Sequence, residues 1–185
     1  MAAVVDYMIR PKRFLPALVA LLVMQAIIGA GVPERVATAG GYRGPLKIFR
    51  FDQAMLQTPD YASDLKAYGE QGRQQVVLGH VLWDIATPLL YALGLAGLIG
   101  FLALHTGAAA PLFLILRWVP IAAGAIDLLE NAAISWICLS YPNYGPGLTA
   151  TGLLTHLKWI LVVSAVASAG IAMVVAIVRH YAGPG

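Results

Sequence analysis

Six ionisable side chains lie inside long apolar runs of this sequence: His80 and Asp84, Asp127 and Glu130, and His156 and Lys158. An ionised group inside a membrane is costly, so such residues are rare and mark proton or ion pathways, ligand sites or helix pairing. His80, Asp84 and Thr87 share one helix face, as do Asp127, Glu130 and Asn131, because residues three and four apart are neighbours on a helix. His156 and Lys158 are two residues apart, about 200° around a helix, so only one can face a common pocket squarely. Thr151, Thr155 and Lys158 make a polar stripe, which turns Lys158 inward and leaves His156 beside Trp159 or at a partner interface.

Three carboxylates against one Lys leave excess negative charge in a poorly solvated place. A proton held on one carboxyl, a bound cation, or Arg73 reaching down from the Gly72-Arg73 step would each compensate it. The first route is acid/base chemistry. It makes Asp84, Asp127 and Glu130 the candidate catalytic residues, with Glu130 or Asp127 as general acid or base and Asp84 as its counterpart or orienting group. Arg73, His80, Trp83, Asn131, Trp136, Lys158 and Trp159 are the candidate substrate-binding residues. The Trp residues, with Tyr141 and Tyr144, belong by default to the aromatic belt of a membrane interface. Turned inward, they would line an apolar pocket and stabilise a carbocation while a protonated carboxyl supplies the initiating proton. That combination suits an isomerase or terpene cyclase acting on a lipid or isoprenoid-like substrate. The plainer account is a buried ion-pair network that fixes helix register.

No cofactor is predicted. A divalent metal is the alternative, because His80, Asp84, Asp127, Glu130 and His156 are residue types suited to zinc, iron or manganese. Yet no His-x-x-His or Glu-x-x-His repeat is present, and metal ranks below acid/base work. Haem between His80 and His156, or between His105 and His180, ranks lower still, since nothing else in the sequence suits a porphyrin.

The elements that must carry these residues follow from composition. The chain has 185 residues, of which 59% are hydrophobic and 11% charged, and its mean hydropathy is +0.76, outside the range of ordinary soluble domains. Its net charge of +3 is carried by Lys and Arg beside apolar runs, so it reads as a topology signal and predicts no nucleic-acid partner. Apolar runs predict helices at about 14–32, 76–104, 112–139 and 148–178, with a loop at 33–75, all in a single integral membrane domain, 1–185. A membrane interior has no water for unpaired backbone groups, so runs of this length must be helical, and the short links make neighbours antiparallel. The expected fold is all-α, a four-transmembrane-helix bundle with a long first extracytoplasmic loop.

Arg10, Lys12 and Arg13 precede the first helix, Arg117 begins the third and Arg179 ends the fourth, which places both termini in the cytoplasm of a multi-pass cell-membrane protein. The first segment also has the charge pattern of a signal peptide, but its apolar stretch is long enough to span and is kept as a helix. At 1.5 Å per residue, Asp84, Glu130 and Lys158 each lie about 27 to 31 Å from the far ends of their helices, near the outer face. Pro88 cannot donate to the carbonyl of Asp84, so a kink is expected at that layer. In the loop, Thr58-Pro59-Asp60 starts a short amphipathic helix bearing Tyr61, Leu65 and Tyr68. Small residues at Ala92, Ala96 and Gly100, and at Ser164, Ser168, Ala172 and Ala176, form seams that could join helices in one chain or in a homo-oligomer. The single Cys138 can form no intrachain disulfide.

Gly69-Glu70-Gln71-Gly72-Arg73, Asp84 with Pro88 and Tyr91, Asp127-Leu128-Leu129-Glu130-Asn131, Tyr141-Pro142 and Lys158-Trp159 together resemble a group of bacterial four-helix integral membrane proteins. The likeness runs over roughly Gly69 to Trp159 and implies the four-helix layout and the choice of polar residues, without naming a reaction. The plan is also similar in architecture to membrane sterol isomerases and membrane terpene cyclases, from which no residue roles carry over. Three functions remain open: a membrane-embedded acid/base enzyme with a polar pocket near the outer face, a non-catalytic subunit or assembly factor of a membrane complex, and a small transporter or proton relay. The last has little room for alternating access in four short-linked helices.

Overall fold

A computed structural model of the chain describes residues 61–82 and 84–182, and every regular element among them is helical. The predicted helix 14–32, the loop up to residue 60, its Thr58-Pro59-Asp60 start and Trp83 lie outside these residues. The helices are α1 (Tyr61–Leu82), α2 (Ala86–Ala103), α3 (Ala110–Leu116), α4 (Val119–Leu139) and α5 (Gly147–Ala182), with a 3-10 turn at Gly107–Ala109 before α3. Three segments are long and apolar enough to cross a membrane: Ala86–Ala103, Ala110–Leu139 and Gly147–Ala182. Along α5, Leu153, Ile160, Val166, Ile171, Val174 and Val178 are all exposed. So long a row of large apolar side chains is unfavourable in water and suits lipid.

Two predicted helices are interrupted, and proline explains both. Where 76–104 was expected as one helix, α1 ends at Leu82 and α2 starts at Ala86. Pro88 has no N–H for the Asp84 carbonyl, and Asp84 itself donates to Gly79 O, five residues back, at 3.2 Å. The expected kink is therefore a break. Likewise 112–139 divides into α3 and α4, with Pro120 in the first turn of α4, where its missing N–H leaves the Leu116 carbonyl without a helical donor. The chain turns there through 3-10-type bonding, Trp118 N–H to Ile115 O at 3.1 Å.

The short helix expected within the loop 33–75 is not separate from the next one: α1 runs from Tyr61 to Leu82. It bends at Gly69, whose φ of 64° is readily available only to glycine. Leu65 is buried and Tyr68 half-buried, so the apolar face read from the sequence in this stretch is the one that packs.

Contacts divide the chain into two compact units. The described part of one comprises Leu89–Gly124 and residues 160–182. Its core is Ile99, Ala103, Phe113, Ala169 and Ala172. Ala92 and Ala96, two of the predicted small seam residues, are buried there. Ser164 and Ser168 donate to carbonyls one turn back, Ile160 O and Ser164 O, each at 2.7 Å, which satisfies their hydroxyls within their own helix. The described part of the other unit comprises residues 61–82, 84–88 and Ala125–Trp159. Its apolar core is Leu65, Val76, Ile134, Ile137 and Cys138, flanked by Tyr68, Val77, Tyr141, Tyr144 and Leu148.

In that second unit the start of α5 approaches α4 closely: a Cβ on Gly147 would lie 2.8 Å from Ile137 Cγ2. Gly147→Ala is expected to lower stability in detergent by about 1 to 3 kcal/mol through overpacking. Gly170→Ala, where a Cβ meets nothing within 4 Å, should be neutral or gain about 0.5 to 1 kcal/mol. Thermal unfolding of the two variants beside the parent checks the contrast.

Candidate functional site

The polar groups of the second unit converge on Lys158. Helix α5 presents Thr151, Thr155 and Lys158 on one face, and α4 presents Asp127, Glu130 and Asn131 on one face, as helical spacing requires. The Lys158 ammonium lies 3.3 Å from Asp127 Oδ1 and is in contact with Glu130 Oε2. Thr155 donates its hydroxyl to the other Glu130 oxygen, Oε1, while its own oxygen also lies 3.0 Å from Thr151 O. Glu130 is 1% exposed, and Thr151 and Thr155 are fully buried. A carboxylate so deeply buried is tolerable because Thr155 donates to one of its oxygens and the Lys158 ammonium lies against the other.

Asp84 lies half-buried at the α1–α2 break, and its charge acts on Lys158 more weakly than those of Glu130 and Asp127. Its backbone has a second role. The Asp84 carbonyl, deprived of a helical donor by Pro88, accepts from Asn131 Nδ2 at 3.4 Å. Asn131 thus supplies from α4 the hydrogen bond that proline removes. Pro88 is itself fully buried, so water has little access to that carbonyl by way of the proline.

The other predicted site residues fall in distinct places. His156 points away from Lys158, and its Nδ1 donates to Gly152 O at 2.7 Å, one turn back in α5. Trp159 is half-buried, with its ring centroid 5.5 Å from the Lys158 ammonium, a cation–π distance. Trp136 is 63% exposed and edges against Gly147. His80 belongs to α1, but its side chain, like Trp83, is outside the described residues. Arg73 does not descend to the carboxylates. Its Nη1 donates to Leu65 O at 3.0 Å, a carbonyl in the last turn before the Gly69 bend, and its guanidinium lies 4.1 Å from the centre of the Tyr141 ring.

Thr155 belongs to the site although sequence reasoning gave it no role there. Its signal was present in the polar stripe with Lys158, but threonine in a membrane helix commonly bonds only its own backbone, and spacing alone does not show a second acceptor. Among the described residues, no three His, Cys, Asp or Glu side chains are grouped so as to hold a metal ion. The chain matches no protein-family model, no curated protein and no solved structure. The short motifs between Gly69 and Trp159 therefore stand as a resemblance, and function must be argued from the cluster itself.

Removing Lys158 leaves two carboxylates without their shared counter-charge. Lys158→Met is expected to cost about 3 to 5 kcal/mol, with much of that recovered in Lys158→Met/Glu130→Gln, where the buried charge is gone as well. Asn131→Leu should cost roughly 1 kcal/mol, the scale of a side-chain hydrogen bond within a membrane protein. Denaturant or thermal unfolding in detergent measures all three.

Proposed function

We propose that the chain is a four-span, multi-pass cell-membrane protein with 14–32 as its first helix and both termini cytoplasmic, and that the Lys158 cluster is an acid/base site. The reaction class that fits is proton transfer of the isomerase or cyclase type on a lipid or isoprenoid-like molecule. The observation that carries this reading is the pairing of one ammonium, Lys158, with two carboxylates, Asp127 and Glu130, the second almost fully buried. Asp127 and Glu130 with one ammonium carry one negative charge in excess, Asp84 at the half-buried helix break adds a second, and a proton held within the cluster lowers the excess.

In the proposed step the cluster's shared proton, carried on Glu130 in the reactive state, passes to one carbon of a substrate double bond, leaving a carbocation and the ionised Glu130 that Lys158 holds. A neighbouring carbon then returns a proton to a carboxylate of the cluster, either Glu130 or Asp127, and the double bond re-forms one position along. Lys158 stabilises whichever carboxylate is charged at each stage, and Asp84 adds to the field at Lys158. Trp159 lies against the same ammonium.

A second reading has its own support. One Glu130 oxygen already takes the Thr155 hydroxyl and the other lies against the Lys158 ammonium, which is how a register-fixing network in a non-catalytic subunit or assembly factor would be built. Glu130→Gln separates the two. With the protein in nanodiscs and mass spectrometry of an added polyisoprenoid and lipid extract, the enzyme reading expects conversion by the parent protein and a loss of roughly a hundredfold or more in the variant, with its melting temperature nearly kept. No conversion by the parent, together with a large fall in the melting temperature of the variant, favours the subunit.

A further inference from the structure

The second unit contains a cavity of about 310 Å³ that the acid cluster does not use, lined by Glu70, Arg73, Gln74, Cys138, Leu139 and Tyr141. The volume is at the lower end of the ~300 to 1,000 Å³ typical of small-molecule sites. Its wall changes character from one side to the other. Helix α1 contributes a guanidinium, a carboxylate and an amide from one polar stretch, while α4 contributes Cys138 and Leu139, the end of a candidate span. Leu139 is 69% exposed, and Trp136, one turn earlier, is also exposed. The cavity therefore sits where an apolar span stops and polar chain begins, the level at which lipid headgroups lie.

Arg73 is prepared for a ligand. Stacking on Tyr141 and the bond from Nη1 to Leu65 O fix its plane, so less side-chain freedom is lost on binding, and a guanidinium offers five N–H donors in all. Such a fork suits phosphate oxygens. Glu70, exposed and one turn from Arg73, places a carboxylate on the same cavity. It disfavours a purely anionic ligand and favours one that carries an amine as well.

We propose that this cavity binds a phosphate joined to a primary amine, the headgroup of a zwitterionic aminophospholipid. The phosphate lies on Arg73, the ammonium on Glu70, and the acyl chains against Leu139 and Trp136. Cys138 is at least about 12 Å along α4 from Glu130, counting eight residues at 1.5 Å, so the site is separate from the acid cluster. It stands whether or not that cluster is catalytic.

The test is native mass spectrometry and lipid exchange on the full-length protein in detergent, with phosphatidylethanolamine, phosphatidylglycerol and water-soluble phosphoethanolamine as probes. Phosphatidylethanolamine should bind most tightly. Arg73→Gln should weaken it roughly tenfold, the worth of one charge-assisted contact. Glu70→Gln, at an exposed position where folding is not at stake, should erase the preference over phosphatidylglycerol. Soluble phosphoethanolamine should protect the site only at far higher concentration, which identifies the lipid as the source. Equal or tighter binding of phosphatidylglycerol, indifference to Glu70→Gln, or soluble phosphoethanolamine binding as well as the lipid would each overturn the proposal.

Discussion

An ionised carboxylate at 1% exposure needs a counter-charge within contact, and for Glu130 that partner is Lys158. The pair constrains much of what surrounds it. It requires α4 and α5 to hold one register, because a shift of a single residue would rotate Glu130 by about 100° away from the ammonium. It also accounts for Thr155, whose hydroxyl completes the second oxygen of Glu130 and would otherwise bond only its own helix. Asp127, one turn before Glu130, shares the ammonium and converts an ion pair into a cluster with a surplus acid.

The same demand that buried polar groups be satisfied explains two other contacts. Pro88 strips a donor from the Asp84 carbonyl, and Asn131 replaces it from the neighbouring helix. Gly69 bends α1, and Arg73 reaches back to Leu65 O in the turn before the bend. In each case a break in the backbone ladder draws a long polar side chain to a particular carbonyl. The break at Asp84 brings an acid into the range of Lys158, while the use of Arg73 at Leu65 and Tyr141 keeps a second cation away from the carboxylates. Charge balance in the cluster thus depends on where two helices fail to be regular.

Apolar periodicity and length were enough to read the helical class, the three segments able to cross a membrane, and the two faces that carry Asp127, Glu130 and Asn131 and Thr151, Thr155 and Lys158. The reason is local: helix geometry follows from the chain alone once the solvent is lipid, and side chains three and four apart must then share a face. Spacing likewise showed that only one of His156 and Lys158 can face the cluster, and the Thr151-Thr155 stripe favoured Lys158. Partners across helices were not legible. Only the folded chain decides that Thr155 takes a Glu130 oxygen, that Asn131 caps Asp84, and that Arg73 lies on Tyr141 instead of among the acids, because each contact depends on the distance and rotation of separate helices, which spacing along one helix does not encode.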